Sequence, residues 1–178
     1  MKEAIPPNAP PPRGKEVVMR LFVDSSHADD KLTRRSRTGY LSEHAVNMAP
    51  IAWLSKTQAT IETSIFGAEV VAMKLSVEHV RSLRYKLRMM GVPIDSPAHV
   101  YGDDMSVIHN TQRPESMLKK KSNSICYHAV RESVAMNEIL TGHIASEHNP
   151  ADIATKLIPS GMKRDYLVSL VLYDIADG

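Results

Sequence analysis

The order of apolar and polar residues predicts three strands in the first third of the chain. Residues 17–23 are apolar or β-branched on nearly both faces, which is typical of a central strand, and Asp24 is expected to end it. After a polar turn, two shorter apolar segments follow, Thr38 to Val46 and Pro50 to Ser55. We interpret residues 17–55 as an antiparallel meander.

The strongest periodic pattern lies between residues 64 and 90 and predicts a long helix. Thr63 or Ser64 can cap its start, and Gly91 marks its end. Apolar residues recur on one face at helical spacing and form a predicted buried stripe: Phe66, Val70, Met73, Val77, Val80 and Leu87. Glu69 lies inside this stripe, where a carboxylate is costly to bury unless a positive group neutralises it.

Helices and strands alternate in the remainder of the chain. The predicted elements are a strand over His99 to Gly102, a short helix to Asn110, a helix over Ile125 to Asn137, a strand over Ile139 to Ala145, and a last helix that begins at Asn149-Pro150. Three strands followed by this alternation predict an α/β fold: one mixed sheet with helices on both faces.

The composition places this fold within one domain. The chain has 178 residues, and five of its eleven prolines lie in residues 6–12, which favours an extended linker over residues 1–14. Residues 15–158 are expected to form the domain and residues 159–178 a C-terminal extension. Its apolar part, residues 166–173, is expected to pack on the sheet or on a partner.

Charge and cysteine content narrow the function classes. The net charge of +2 does not by itself indicate a nucleic-acid binder, so such a role must come from local basic groups. The candidates are Lys31, Arg34, Arg35, Arg37, Lys119, Lys120 and Lys121, all in predicted loops.

The single Cys126 excludes disulfide scaffolds and Cys-rich zinc modules, and the absence of a signal peptide favours an intracellular chain. Without a run of about 20 apolar residues, a transmembrane role is excluded.

Four carboxylates are candidate ligands of a hard cation. Asp24 and Asp103 each end a predicted strand, and the functional crevice of an open α/β sheet lies beyond such strand ends. Glu69 on the long helix and Asp152 in the last helix could complete an all-oxygen set of the kind that Mg²⁺ prefers. Each acid also has an ordinary explanation as a turn residue, a helix cap or a carboxylate at the edge of the stripe.

Six segments in a fixed order carry a family resemblance. They are Phe22-Val-Asp-Ser-Ser-His-Ala-Asp-Asp-Lys31, Arg34-Arg-Ser-Arg-Thr-Gly-Tyr40, Trp53-Leu-Ser-Lys-Thr-Gln58, Ile65-Phe-Gly-Ala-Glu-Val-Val-Ala-Met-Lys74, Leu83-Arg-Tyr-Lys-Leu-Arg-Met-Met-Gly91 and Pro150-Ala-Asp-Ile-Ala-Thr-Lys156. Together they resemble the ribonuclease H domain of copia-type (Ty1/copia) retrotransposon polyproteins. The resemblance runs from about Met19 to Leu157.

The resemblance implies a fold, a chemistry and partners. The fold is the ribonuclease H-like sandwich around a five-strand mixed sheet of order 3-2-1-4-5. The chemistry is hydrolysis of the RNA strand of an RNA·DNA hybrid with two Mg²⁺ ions, for which Mn²⁺ can substitute, and the acidic quartet is Asp24, Glu69, Asp103 and Asp152. The implied partners are the hybrid and an upstream reverse transcriptase domain, with no membrane, in a cytoplasmic particle or the nucleus. His148 is a possible auxiliary residue.

Two alternatives remain open at this stage. Tyr101-Gly102-Asp103-Asp104 is similar to the Tyr-x-Asp-Asp hairpin of polymerases, although 178 residues leave little room for the rest of a polymerase. The second alternative is a catalytically drifted or domesticated module that binds nucleic acid or protein without turnover. It rests on departures from the family pattern, such as Asp24-Ser25-Ser26 in place of Asp-Ala-Asp and the polar segment Ser42 to Val46 in the second strand.

Overall fold

A single mixed sheet organises the chain. The computed structural model describes residues 5–44, 49–113 and 123–172. The strands of the sheet are β1 (Met19–Ser26), β2 (Arg37–His44), β3 (Ala49–Thr57), β4 (Ala98–Gly102) and β5 (Ile139–His143). Their order is β3-β2-β1-β4-β5, with antiparallel pairing from β1 to β3 and parallel pairing of β1 with β4 and of β4 with β5. The predicted five-strand topology is confirmed.

Helices cover both faces of this sheet, as predicted. They are α1 (Ile65–Met89), α2 (Met105–Gln112), α3 (Ser124–Ala135), α4 (Asp152–Thr155) and α5 (Met162–Val171). The main core lies between one face of the sheet and helices α1, α2 and α3. A smaller apolar cluster of Phe22, Leu41 and Ala151 lies on the other face, and Val171 of α5 packs against it. None of the described helices is long and apolar enough to cross a membrane.

Helix α1 begins and ends as its sequence predicts. The Ser64 hydroxyl accepts a hydrogen bond from the Gly67 N–H at 3.1 Å. At the other end Gly91 has φ of +76°, and the Val92 N–H bonds back to the Leu87 carbonyl at 3.0 Å. This closing pattern requires a left-handed residue, which glycine adopts without strain. Of the predicted stripe, four residues are buried, Val70, Met73, Val77 and Val80, and Phe66 and Leu87 are partly buried against them.

The second strand is irregular where its sequence is polar. The pairing of β2 with β3 shifts register between Ser42 and Glu43, and both side chains are buried. Burial raises the pKa of Glu43 to about 7, against the opposing charge of Arg20. Residues 45 and 46 of the predicted strand lie outside the described residues.

Helix α5 is an element that the sequence pattern does not predict. Leu167 is its one fully buried side chain, so the helix has no apolar periodicity of the kind that reveals α1. At the opposite end of the chain, the Arg13 N–H donates to the Gly91 carbonyl and the Val17 N–H to the Pro93 carbonyl. The division of the chain at residues 14 and 158 stays a prediction.

Candidate metal centre

Three carboxylates from separate elements meet at one edge of the sheet. Asp24 lies on β1 and Asp103 directly follows β4, and because these strands are parallel neighbours their carboxyl ends lie side by side. Glu69 reaches the same place from the second turn of α1. Each residue offers a carboxylate oxygen, and these three oxygens lie within 4.8 Å of one another. The structure therefore brings together three of the four predicted acids.

Asp24 lies inside β1 and not at its end as predicted, because the strand is two residues longer than the sequence indicates. The strand continues to Ser26, and Asp24 pairs with Gly39 of β2. The Asp24 side chain is buried; its Oδ2 accepts a hydrogen bond from the Thr155 hydroxyl, and its Oδ1 accepts one from Lys156 Nζ at 3.2 Å. Burial raises the pKa of Asp24, although the Thr155 hydroxyl and the Lys156 charge oppose this effect.

Glu69 is the most strongly perturbed acid of the three. Its side chain is 7% exposed, and its Oε1 accepts hydrogen bonds from the Ser25 N–H at 3.2 Å and the Ser25 hydroxyl at 3.0 Å. Burial, followed by the negative charges of Asp24 and Asp103, raises the pKa of Glu69 to about 8. Like charges crowded in this way favour protonation until a cation neutralises them.

Asp103 and its neighbour Asp104 have different surroundings. Asp103 is partly exposed, and its Oδ2 accepts a hydrogen bond from the Ser146 hydroxyl at 2.7 Å. Asp104 is the N-cap of α2: its Oδ1 accepts hydrogen bonds from the N–H groups of Ser106 at 2.7 Å and Val107 at 3.2 Å. Asp104 therefore caps the start of α2, and its carboxylate is not directed at a site shared with Asp103, as the polymerase-like alternative requires.

Asp152 is buried beside the three carboxylates but is bound to lysines. It is the first residue of α4; its Oδ1 accepts a hydrogen bond from Lys156 Nζ at 2.6 Å and its Oδ2 accepts one from Lys163 Nζ at 2.8 Å. Lys156 thereby joins Asp152 to Asp24. Burial alone would lower the pKa of Lys156, but the hydrogen bond to Asp152 and the charge of Asp24 raise it to about 12.

The position of α4 depends on a close approach to β2. A Cβ atom on Gly39 would lie 2.6 Å from Thr155 Cγ2 and 2.8 Å from Ala154 Cβ, so any larger residue would push α4 away. The segment before α4 is fixed by Asn149, whose side-chain amide donates to the Val23 carbonyl at 3.0 Å. Asn149 Oδ1 accepts a hydrogen bond from the Ala151 N–H, as a capping residue does. The α-helix itself begins at Asp152 rather than at Pro150, because the turn before it is closed by tighter bonds, from the Asp152 N–H to the Asn149 carbonyl and from the Ile153 N–H to the Pro150 carbonyl.

Sequence reasoning missed several side chains of this site. Thr155 and Lys156 lie within the last family-like segment, so their position was available in the sequence, although their contacts with Asp24 span more than 130 residues. Ser146 and Lys163 carry no pattern that would have revealed them. The link from Ser146 to Asp103 exists only because the segment after β5 returns along the edge of the sheet.

The predicted basic residues occupy two kinds of position. Lys31, Arg34 and Arg35 are exposed in the turn between β1 and β2, which the Asp30 carboxylate organises by accepting hydrogen bonds from the turn. Arg37 lies at the start of β2 and donates to the Ser55 hydroxyl at 3.4 Å. Lys119, Lys120 and Lys121 lie outside the described residues.

An open groove lies between Arg37 and two residues that contact Asp24. Its volume is about 590 Å³, and its lining includes Arg37, Ser55, Thr155 and Lys156. Since Thr155 and Lys156 both contact Asp24, the groove runs to the edge of the buried acids. His148 is exposed in a 3-10 turn, and its ring lies edge-on to Tyr166 at 5.4 Å between centroids.

The donor set fits a hard divalent cation. The clustered ligands are carboxylate oxygens, which Mg²⁺ prefers. A divalent cation bound among them would also neutralise the repulsion between their three negative charges. Each of the three carboxylates accepts a hydrogen bond from one hydroxyl group, which fixes its orientation. The donors are Thr155 for Asp24, Ser25 for Glu69 and Ser146 for Asp103. Asp24, Glu69 and Asp103 are therefore the described residues best arranged to hold a metal ion.

The curated proteins similar to the chain include two Pol polyproteins from plant transposons. The chain is 28% identical over 146 residues to the retrovirus-related Pol polyprotein from transposon TNT 1-94 of Nicotiana tabacum, a match that covers 82% of the chain. It is 24% identical over 147 residues to the Pol polyprotein from transposon RE1 of Arabidopsis thaliana, covering 81% of the chain. The matched regions are 11% and 10% of those polyproteins. No protein-family model matches the chain.

Solved structures share the fold at low sequence identity. LC11-RNase H1, solved in complex with an RNA/DNA hybrid, has a TM-score of 0.60 at 15% identity and covers 77% of this chain and 93% of its own. The N-terminal RNase H domain of a Mycobacterium tuberculosis protein, solved as a fusion with maltose-binding protein, has a TM-score of 0.55 at 11% identity. That match covers 86% of this chain and 96% of the solved one. At such identities the likeness concerns the fold.

Proposed function

We propose that this chain, a ribonuclease H domain of the copia retrotransposon type, is a metal-dependent endonuclease that hydrolyses the RNA strand of RNA·DNA hybrids. The observation that carries the proposal is the convergence of Asp24, Glu69 and Asp103 within 4.8 Å. The fold supports it, because LC11-RNase H1 has the same fold and was solved with an RNA/DNA hybrid. The plant Pol polyproteins supply the context of reverse transcription.

The carboxylates of this site would hold the Mg²⁺ ions. Bound Mg²⁺ supplies a Lewis acid for the scissile phosphate and lowers the pKa of a bound water. We assign Asp24, Glu69 and Asp103 to the first ion, and Asp24 with Asp152 to a second, with Mn²⁺ able to replace Mg²⁺. Ser25 holds Glu69 by two hydrogen bonds, so the Glu69 carboxylate is oriented before any substrate arrives.

Basic side chains would bind the phosphate backbone of the hybrid. The groove lined by Arg37 and Lys156 leads to the carboxylates, and Lys31, Arg34 and Arg35 extend a positive surface beyond β1. We place the hybrid along this groove and expect its affinity to fall with salt. An upstream reverse transcriptase domain of the same polyprotein would deliver the hybrid.

Cleavage of a hybrid labelled on its RNA strand tests the proposal. The purified chain should shorten the RNA in Mg²⁺ and leave it intact in EDTA. Asp103→Asn should abolish cleavage, whereas Asp104→Asn should retain it because asparagine caps a helix as well as aspartate does. Equal loss in both variants would contradict this assignment, and hybrid binding without Mg²⁺-dependent cleavage would favour a module that binds without turnover.

A further inference from the structure

The ammonium group of Lys156 lies between two acids that the proposed function assigns to a metal ion. Lys156 Nζ is 3.2 Å from Asp24 Oδ1 and 2.6 Å from Asp152 Oδ1. Both carboxylates are buried, so Nζ takes the place that a shared cation would take between them. Asp24 is thus in contact with a lysine while its carboxylate also contributes an oxygen to the cluster with Glu69 and Asp103.

The formal charges of the site balance with a single divalent ion. Asp24, Glu69, Asp103 and Asp152 are four carboxylates, and two ammonium groups, Lys156 and Lys163, contact them. The remaining formal charge is minus two. A first divalent ion at Asp24, Glu69 and Asp103 neutralises it, whereas a second ion would bring excess positive charge close to Lys156 in a buried site.

The side chain of Lys156 can move away from Asp24 and Asp152, so that a metal ion can take the place of its ammonium group. It follows Asp152 by one helical turn, and its side chain is 41% exposed toward the groove, so Nζ can leave without unfolding α4. Lys163 differs because it comes from α5 and its ion pair is with the other oxygen of Asp152. The two lysines therefore form a matched pair: both neutralise Asp152, but the described contact with Asp24 belongs to Lys156.

We propose that Lys156 occupies the second cation position of the substrate-free chain, so that a second divalent ion binds only by displacing Nζ from Asp24 and Asp152. This inference rests on the proposed function, because it takes the three-carboxylate cluster to be the first ion's site. Lys156 is then a positioning residue: it holds Asp24 and Asp152 together until the second ion replaces it.

Calorimetric titration with Mn²⁺ alone, without nucleic acid, tests the inference on the full chain. Wild type should bind one ion, Lys156→Met two, and Lys163→Met one. Lys156→Arg keeps the positive charge and should also bind one. Circular dichroism checks that each variant is folded, and Lys156→Gln replaces the methionine variant if that variant is not.

In hybrid cleavage, the Mg²⁺ concentration for half-maximal rate should fall about tenfold in Lys156→Met, the effect of removing one adjacent charge.

The outcomes separate this inference from the proposed function. Two ions in wild type, or one ion in folded Lys156→Met and Lys156→Gln, would overturn the inference while leaving the nuclease proposal standing. Loss of cleavage in Lys156→Met at every Mg²⁺ concentration would also overturn it, because Lys156 would then itself be needed in the reaction. A wild-type chain that binds no Mn²⁺ and cleaves no hybrid would refute the proposed function itself.

Discussion

Replacing Glu69 by glutamine should make the metal-free chain more stable at alkaline pH. The folded pKa of Glu69 is raised from 4.5 to about 8. Between these values the folded chain holds a proton that the unfolded chain has lost, so stability falls as the pH rises through this window. Stability is highest below the unfolded pKa and lowest above the folded one. Glutamine is neutral throughout, and its side-chain oxygen can still accept the hydrogen bonds from Ser25.

The expected magnitude follows from the same pKa values. Each unit of pKa corresponds to about 1.4 kcal/mol. Integrated from about pH 5.5 to about pH 8, ionisation of Glu69 removes about 3 kcal/mol from the free energy of unfolding. For a chain of this size that loss lowers the melting temperature by about 6–12 °C. Burial also raises the pKa of Asp24, so its ionisation changes stability in the same direction.

Thermal unfolding in EDTA at several pH values measures this effect. Wild type should lose stability between about pH 5.5 and about pH 8, and Glu69→Gln should lose clearly less. The matched control is Glu78→Gln, an exposed glutamate of the same helix paired with Lys74, which should retain the wild-type slope. The reasoning is refuted if Glu69→Gln keeps the wild-type slope, or if it is the less stable protein at about pH 8.

Three further predictions concern the same region. Mg²⁺ at a hundredfold excess over its dissociation constant should add about 2.7 kcal/mol to the free energy of unfolding of wild type and so raise its melting temperature, but should not do so for Asp24→Asn; an equal rise in both at matched ionic strength would contradict the site. Gly39→Ala should cost about 1–3 kcal/mol in urea unfolding and lower hybrid cleavage, because its Cβ collides with Thr155 and Ala154; wild-type stability would show that α4 is placed otherwise. Asp104→Ala should cost about 1 kcal/mol of unfolding free energy through loss of the α2 cap, with Asp104→Asn as the control that keeps it.

The sequence was sufficient for those features that local pattern controls. A period of 3.6 residues and a cap at Ser64 defined α1, and the same periodicity placed Glu69 on the buried face. Strand ends placed Asp24 and Asp103 at one edge because β1 and β4 are parallel neighbours. These two local rules placed Asp24, Glu69 and Asp103 in one predicted set, which also included Asp152, and the structure brings these three within 4.8 Å of one another.

Features that depend on distant packing could not be predicted in the same way. Asp24 lies inside β1 because pairing with β2 continues as far as Ser26 opposite Arg37, and no property of β1 alone reveals that length. The contacts of Lys156 with Asp24 depend on the approach of α4 to Gly39. Asp152 was predicted as a ligand from its place in a helix, but its lysine partners are visible only in three dimensions.

Anomalous scattering from crystals of the chain grown with Mn²⁺ tests the central claim most directly, since that claim is that three acids hold a divalent ion. The account predicts an anomalous peak within coordination distance of Asp24, Glu69 and Asp103, which disappears in crystals of Asp24→Asn. A Mn²⁺ peak located elsewhere, or no peak between these carboxylates at saturating Mn²⁺, would contradict the account.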